Sequence, residues 1–131
     1  VIDCIASDHA PHSSVEKELE FELAANGIVG LETTLPLTLA LVHQGIMTLE
    51  QAIEKLSSRP AQILGLEGKG SLRPGADADV TMIDPELEFV VDAQRFRSKA
   101  RNTPFHGWRL KGKAVKVMIK GELVFDATAE D

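Results

Sequence analysis

The sequence predicts an α/β protein in two parts: a helix-covered parallel sheet that ends within residues 1–67, and a small β unit in residues 68–131. Three observations support this prediction. The chain begins with VIDCIA, an apolar run rich in β-branched residues, which is typical of a strand buried on both faces of a parallel sheet. Helical periodicity follows as far as residue 65. From Gly68 onward, glycine and proline turns separate short runs of strand-forming residues.

The predicted strand, residues 1–6, is followed by two loops. Residues 13–22, SSVEKELEFE, are mostly acidic and indicate an exposed loop or a short helix. Residues 25–30, ANGIVG, indicate a tight loop whose glycines permit the close approach of a ligand. Because a lone parallel strand has no ladder partners, we expect residues 1–65 to be the tail of an α/β domain whose other strands lie outside this chain.

Start and stop signals predict two or three helices. The first is expected between the threonines at 33–34, either of which can cap it, and a stop at Gly45. The second begins at Thr48, which forms a capping-box pattern with Gln51. A third, short helix is predicted to start at Ser58.

The β unit is predicted from turn chemistry and alternating residues. Pro74-Gly75 suits the central positions of a type II turn, and Lys120-Gly121 suits a hairpin turn. The strand candidates are residues 78–83, 87–91, 114–119 and 123–125. In the third of these, Val115, Val117 and Ile119 alternate with wetter residues, which predicts one buried face.

The overall composition narrows the class of protein. The 131 residues make one domain or a piece of a larger one, with 44% hydrophobic and 26% charged residues and a net charge of −6. This charge argues against nucleic-acid or anionic-membrane binding, and the basic group at 95–101 is interpreted as surface. No apolar run approaches the roughly 20 residues of a membrane span. A single cysteine, Cys4, predicts no disulfide and a cytoplasmic location. Because Val1 opens the chain inside an apolar run, we expect the natural N terminus upstream.

Asp8 follows the predicted strand, at the end where parallel α/β folds gather functional groups. A carboxylate here can ligate a metal ion, and it can exchange protons with water or a leaving nitrogen. The alternative is structural, since a lone Asp at a strand end is more often a turn former or a helix cap. The residues by themselves leave both roles open.

Two histidines follow Asp8 within the stretch IASDHAPH, residues 5–12. Pro11 lies between His9 and His12 and disfavours a continuous helix through them. His9 is a candidate metal ligand or a brace for the loop. His12 is expected to face the substrate and to donate a hydrogen bond to a carboxylate or carbonyl. A purely structural role for either ring stays open.

Four segments in order carry a resemblance to a known family. They are SDHAPH at 7–12, GIVGLETTLPL at 27–37, RPAQILGL with KGSLRPGADADV at 59–80, and RNTPFHGWRLKGK at 101–113. Together they resemble the C-terminal part of the dihydroorotases, of the bacterial, longer-chain type within the amidohydrolase superfamily. The GADAD segment is common to the superfamily, whereas DHAPH with GLET and NTPF is more specific.

The resemblance implies a distorted (β/α)8 barrel with a small β-sandwich-like domain. Residues 1–67 would then be the last barrel strand, the active-site loop and the C-terminal helices. Residues 68–131 would be the C-terminal share of the small β domain. A complete barrel needs about 250 residues, so the N-terminal barrel half is an expected partner.

The resemblance also implies an activity, the reversible hydrolysis of the cyclic amide of dihydroorotate to N-carbamoyl-aspartate in pyrimidine synthesis. One or two zinc ions are implied, with their remaining ligands outside this chain. Asp8 corresponds to a zinc ligand and the general acid/base, and His12 to a contact of the substrate carboxylate. Asn26 and Gly27 correspond to a pair that contacts substrate through the backbone. Asn26 departs from the aromatic residue or proline that other members often carry.

Several alternatives remain beside this activity. The chain can belong to a non-catalytic dihydroorotase-like subunit that supports aspartate transcarbamoylase, although an intact DHAPH argues against that. It can also belong to a related cyclic amidase acting on hydantoins or allantoin. His12 discriminates here, because a substrate carboxylate needs a donor and a neutral ring does not. A homodimer or an aspartate transcarbamoylase complex is a possible assembly.

Overall fold

The structure, a computed structural model, describes residues 2–129 and has a mixed α/β architecture. Its helices are α1 (Ser14–Lys17), α2 (Thr34–His43), α3 (Leu49–Ile53) and α4 (Arg59–Ile63), and its strands are β1 (Val80–Val90), β2 (Arg109–Ile119) and β3 (Glu122–Asp126). Short 3₁₀ turns follow β1 and β3. No helix between residues 2 and 129 is both long and apolar enough to cross a bilayer.

The strand predicted for residues 1–6 is the main correction to the sequence-based fold. In the described part, residues 2–7 form no strand, and Ile2 is 69% exposed. The nearest approach to a parallel ladder is one isolated bridge between His9 and Ile28. The physical reason is the lack of neighbours, since extended backbone becomes a strand only where another strand pairs with it.

Helix α2 begins and ends close to the predicted positions. Gly45 has φ of 72° and its N–H donates to the Val42 carbonyl at 2.9 Å, which confirms the predicted stop. The predicted threonine cap is wrong. Thr33 occupies the N-cap position with helical backbone angles, so its side chain makes no cap hydrogen bond. The Thr34 hydroxyl instead donates to the Gly30 carbonyl at 2.7 Å and fastens the helix to the preceding loop.

Helices α3 and α4 form one continuous helix rather than two. The predicted capping box is confirmed, because Thr48 and Gln51 each accept the other's backbone N–H, at 3.2 and 2.9 Å. No new helix starts at Ser58. A π-helical turn, Glu54–Ser58, joins the two helices, and the Arg59 N–H donates to the Glu54 carbonyl. The cause lies in Pro60, which has no N–H and whose ring clashes with a normal helical turn before it.

The wide turn leaves the Lys55 carbonyl without a helical partner. Its α-helical donor, Arg59, is engaged elsewhere, and its π-helical donor would be Pro60, which has none. The Ile5 N–H takes this place and donates to the Lys55 carbonyl at 3.0 Å. The Lys55 ammonium also donates to the Ile2 carbonyl at 2.5 Å. The backbone carbonyl and the side-chain ammonium of Lys55 therefore both hold the extended segment before Asp8.

The three strands form one antiparallel sheet in the order β1-β2-β3. The candidates 78–83 and 87–91 are a single strand, β1, with a bulge between Asp84 and Glu88 that accommodates Pro85. They join because β2 begins at Arg109, rather than at residue 114 as predicted, and pairs along all of β1.

Both predicted turns of the β unit are confirmed. Lys120 and Gly121 have φ of 53° and 82°, as the central residues of a type I′ hairpin require. The Ala76 N–H donates to the Arg73 carbonyl at 3.1 Å, and Gly75 has φ of 86°, as in a type II turn.

The buried face predicted at Val115, Val117 and Ile119 is wrong. Val115 and Val117 are half-buried and Ile119 is 50% exposed, whereas Leu110 and Gly112, in the first half of β2, are buried. Among the described residues there is a single sheet, so no second sheet covers this half of β2 as the other layer of a sandwich would.

The core lies between α2 and β2. Leu39 is fully buried, and an ideal Cβ on Gly112 would come within 2.2 Å of the Leu39 Cδ1 atom. With φ of 97°, Gly112 is held as glycine by both its backbone and its neighbour. Val29, in the glycine-containing loop at 25–30, and Val91, just after β1, are also almost completely buried.

Candidate active site

Asp8 lies at the turn of the Asp8 loop, residues 7–13, with its backbone in the left-handed region at φ 44°. Asp is among the few residues that tolerate this conformation, although at a cost. Its side chain is exposed. No described residue donates a hydrogen bond to its carboxylate or forms an ion pair with it. A constrained backbone that presents a free carboxylate is typical of a functional position.

His9 is turned inward and braces the loop. Its Nδ1 atom accepts the backbone N–H of Gly30 at 3.1 Å and that of Leu31 at 3.4 Å. In the neutral ring, Nε2 then carries the proton. A metal ligand needs an unprotonated nitrogen, so of the two roles open to His9 the geometry favours the brace.

His12 is half-buried near the end of the Asp8 loop. Its backbone N–H donates to the Asn102 Oδ1 atom at 3.2 Å. The imidazole has no hydrogen-bond partner among residues 2–129, and the side chain lines a shallow recess with Lys99. The ring is therefore available to a ligand, and the predicted contact with substrate stays a prediction.

The glycine loop, residues 25–30, packs directly against the Asp8 loop. The Ala10 N–H donates to the Ile28 carbonyl at 2.8 Å. An ideal Cβ would lie 2.5 Å from the Ala10 Cβ atom if added to Gly27, and 2.4 Å from the Ser7 carbonyl oxygen if added to Gly30. The Asp8 loop thus occupies the space that these glycines leave open, and the approach of a ligand to this loop stays a prediction.

The two predicted backbone contacts, Asn26 and Gly27, differ in their surroundings. The Gly27 carbonyl already accepts Lys17 Nζ at 3.1 Å and Asn102 Nδ2 at 3.2 Å, which occupies both lone pairs. The Gly27 N–H has no acceptor among the described residues. Asn26 is exposed, and its side chain makes no hydrogen bond within the described chain. The backbone N–H groups of both Asn26 and Gly27 are therefore free donors among the described residues.

Asn102 is a component of this site that sequence reasoning missed. Its amide Nδ2 donates to the Ala10 carbonyl at 2.9 Å as well as to Gly27, and its own carbonyl accepts the Val29 N–H at 3.0 Å. The sequence singled out NTPF only as part of a resemblance. No local signal reveals a contact with His12 across a separation of 90 residues.

Lys17 was missed for another reason. It lies in an acidic run that looks solvated, yet its ammonium reaches the Ala25 carbonyl at 2.7 Å in addition to Gly27. A lone cation among carboxylates gave no indication of a backbone target. Lys17 ties helix α1 to the glycine loop.

Displaced pKa values occur outside the Asp8 loop. The pKa of Glu16 is lowered by its hydrogen bonds with Ser13, and that of Glu50 is lowered by hydrogen bonds at the start of α3. The Asp126 pKa is lowered to about 2 by the Thr128 hydroxyl and N–H, at 2.7 and 3.0 Å, and by the Lys116 ammonium at 3.0 Å. Hydrogen bonds with Asp77 and Asp79 raise the Lys69 pKa. These ion pairs stabilise turns and strand ends and are structural.

Asp8 fits a metal ion only as one ligand among several. Within residues 2–129, no three His, Cys, Asp or Glu side chains converge to hold a metal ion. Zinc takes three or four protein ligands, with carboxylate oxygen among its usual donors. The free carboxylate of Asp8 suits that role, whereas His9 does not.

Comparison with known proteins identifies the family. The model of the amidohydrolase family matches residues 1–124. The chain belongs to the amidohydrolase family. Among curated relatives of this amidohydrolase, dihydroorotase from Syntrophus aciditrophicus is 52% identical over 124 residues, and dihydroorotase from Desulfotalea psychrophila is 57% identical over 121 residues. These alignments cover 95% and 92% of this chain but only 29% and 28% of the relatives.

Solved structures resemble the amidohydrolase chain over the same length. L-Hydantoinase (dihydropyrimidinase) from Arthrobacter aurescens has a TM-score of 0.88 and 36% identity, over 95% of this chain and 29% of that one. The inactive dihydroorotase-like domain of the Chaetomium thermophilum CAD-like multifunctional protein has a TM-score of 0.56 and 26% identity, over 73% of this chain and 25% of that one. The amidohydrolase chain thus spans under a third of the proteins it matches.

Proposed function

We propose that this chain is the C-terminal part of a dihydroorotase, which catalyses the zinc-dependent, reversible hydrolysis of the cyclic amide of dihydroorotate to N-carbamoyl-aspartate. One observation carries the proposal: the exposed, unpartnered carboxylate of Asp8 stands at the head of the DHAPH loop. It does so in a chain about half identical to proteins named dihydroorotase.

The architecture proposed for the whole enzyme is a (β/α)8 barrel with a β-sandwich-like domain, divided in this chain at residues 67 and 68. An open apolar groove of about 400 Å³ supports this. Its lining includes Ile2, Ile5, Ile28, Leu37 and Leu41. We infer that the N-terminal barrel half fills this groove, because the relatives are more than three times as long as the matched region.

Asp8 is the proposed general acid/base and the zinc ligand of this chain. One or two zinc ions, when bound, polarise the ring carbonyl and make hydroxide available at neutral pH. Asp8 accepts a proton from the attacking water and delivers it to the leaving ring nitrogen. Its lack of any competing hydrogen bond leaves both oxygens for these tasks.

His12 and Gly27 are the proposed contacts of the substrate. The His12 ring is free to donate to the substrate carboxylate, which a charged partner stabilises better than water does in a closed site. Gly27 contributes its N–H, since its carbonyl is already doubly engaged. Asn26 acts through its main chain, so its departure from the family pattern costs little.

The decisive experiment replaces Asp8 in the full-length enzyme. Asn also tolerates the left-handed backbone, so Asp8→Asn removes the base and leaves the turn intact. We expect kcat for dihydroorotate hydrolysis to fall by about 10²–10⁴-fold, with an unchanged melting temperature.

Asp3→Asn is the matched control, an exposed Asp on the same segment, and it should retain normal turnover. A normal rate in Asp8→Asn would exclude Asp8 as the base. The 131-residue chain by itself, supplied with zinc, should show no turnover.

A related cyclic amidase is the second candidate, favoured by the 36% identity and high TM-score of the L-hydantoinase match. The two activities separate at His12. His12→Ala should raise KM for dihydroorotate, which carries a carboxylate, and should leave KM for a neutral hydantoin unchanged. A wild-type enzyme that prefers hydantoin would support the amidase.

Cellular context and assembly belong to the same proposal. A cytoplasmic location rests on the single cysteine, Cys4, which is free in the structure. A homodimer or a complex with aspartate transcarbamoylase is the proposed assembly. A non-catalytic subunit would instead bind no zinc at full length, which metal analysis decides.

A further inference from the structure

We propose that Asn102 is a positioning residue that fixes the substrate-binding half of the site, His12 and Gly27, without acting on Asp8. It comes from the segment between β1 and β2, about 90 residues beyond the Asp8 loop. The proposal rests on the proposed function, because it assigns roles to His12 and Gly27.

The first support is the geometry of the Asn102 side chain. All three of its hydrogen-bonding contacts go to backbone atoms: Oδ1 accepts the His12 N–H at 3.2 Å, and Nδ2 donates to the carbonyls of Ala10 and Gly27 at 2.9 and 3.2 Å. A carbonyl can only accept and an N–H can only donate, so the orientation of the amide is fixed by its partners. One planar group thereby sets the spacing of the two loops.

The second support is that this clamp does not involve Asp8. The nearest bonded group on that side is the Ala10 carbonyl, two residues beyond Asp8. Other contacts hold the start of the loop and the segment before it. The His9 ring accepts the Gly30 N–H, and the Ile5 N–H donates to the Lys55 carbonyl. Loss of the Asn102 amide should therefore displace the substrate contacts and spare the base.

The third support is that the segment carrying Asn102 is anchored independently of its side chain. The Asn102 carbonyl accepts the Val29 N–H at 3.0 Å, a bond that every substitution keeps. The Arg97 N–H donates to the Glu32 Oε1 atom at 2.8 Å and holds the segment against the loop before α2. Substitution at 102 therefore removes the clamp and leaves the segment in place.

The test uses the full-length enzyme with Asn102→Asp and Asn102→Ala. The first has the same shape, but it loses both donors and sets a carboxylate against two carbonyls. The second removes the clamp without adding charge. Thr103→Val is the matched control, because the Thr103 hydroxyl bonds only the nearby Phe105 N–H and reaches neither loop.

We expect both Asn102 variants to raise KM for dihydroorotate by on the order of 10- to 100-fold, with kcat and zinc content nearly unchanged. Thr103→Val should keep the wild-type KM. A fall in kcat at unchanged KM would overturn the proposal, since Asn102 would then act on Asp8. A lower melting temperature with both constants unchanged would also overturn it, since the role would be structural only.

A second readout needs no substrate and separates this proposal from the proposed function. Hydrogen exchange of the His12 amide should be faster in Asn102→Ala than in Thr103→Val, because only Asn102→Ala removes the acceptor of this amide. Faster exchange supports the clamp even if the wild-type enzyme fails to hydrolyse dihydroorotate, which would refute only the proposed function. Equal exchange in Asn102→Ala and Thr103→Val overturns the clamp.

Discussion

In the three-stranded sheet, backbone groups pair with one another along β1, β2 and β3, whereas in the Asp8 loop side chains hold the backbone. The sheet needs no particular residue for its hydrogen bonds. The Asp8 loop and the segment before it depend on His9, Asn102 and Lys55. The side chain of each of these residues forms a hydrogen bond with a distant backbone atom.

This difference separates a part of the molecule that is complete from one that is not. A ladder of main-chain bonds stabilises itself once two strands meet, and α2 covers its first half through Leu39. The segment before Asp8 has the composition of a buried strand but exposes Ile2 and borders an apolar groove. Loops like the Asp8 loop are where functional residues concentrate.

The comparison is tested most strongly by hydrogen exchange on the 131-residue chain. Amides in the middle of β2 should be protected on the order of 10³-fold or more, as expected for a cooperative unit. Amides of residues 2–4 should exchange almost as in an unfolded peptide, because none of them has a ladder partner in the described chain. In the full-length enzyme the same amides should become protected.

Ile5 serves as the internal control, since its N–H bonds the Lys55 carbonyl and should exchange more slowly than its neighbours. Strong protection of residues 2–4 in the isolated chain would show that this segment is already complete, and the contrast with the sheet would disappear.

The contact between the two regions is tested by Leu39→Ala. Leu39 has no exposed surface and fills the space above Gly112, so its truncation leaves a cavity at the helix–sheet junction. We expect the free energy of unfolding to fall by about 2–5 kcal/mol, measured by urea denaturation of the chain.

Leu123→Ala is the matched comparison for Leu39→Ala, because Leu123 lies in β3 and is 54% exposed. Its effect should stay within about 0.5 kcal/mol. Similar losses for both variants would mean that α2 does not organise the core.

The smallest expected effect concerns Asp126 at the far end of the sheet. Its pKa of about 2 lies below the usual 3.8, so the unfolded chain binds a proton more readily than the folded one. The stabilisation is therefore fully present above pH 3.8 and is lost as the pH falls toward 2. Carboxyl titration by NMR measures this pKa directly.

Thr128→Val sharpens the Asp126 titration, because it removes the hydroxyl that is the largest cause of the lowered pKa and keeps the backbone N–H. The Asp126 pKa should move up toward 3.8 in this variant. An unchanged pKa would assign the effect to the Thr128 N–H and the Lys116 ammonium instead.

Much of the fold is predictable from local chemistry. The capping box at Thr48, the helix stop at Gly45 and the turn at Lys120-Gly121 depend only on residues within a few positions of each other. The predictions that fail concern segments whose structure depends on pairing with residues far along the chain. Residues 1–6 have a strand's composition without a neighbouring strand, and the candidates 78–83 and 87–91 join into β1 only through their pairing with β2.

The candidate site shows the same difference between residues that a local motif identifies and residues that depend on distant contacts. The sequence motif identifies Asp8, His12 and Gly27 as candidates, and the structure brings Gly27 against the loop that carries the other two. Asn102 was not predictable, since its three side-chain bonds all go to backbone atoms that have no sequence identity of their own. The metal-binding role of Asp8 and the substrate-binding roles of His12 and Gly27 stay predictions.

The π-helical turn at Glu54–Ser58 bears on how this chain can be engineered. An idealised helix would replace Pro60 with a good helix former and regain a backbone donor. In a regular α-helix the Arg59 N–H would then return to the Lys55 carbonyl, which now binds the Ile5 N–H. A change that makes the helix more regular would thus loosen the segment leading to Asp8, because the π-helical turn leaves free the carbonyl that binds this segment.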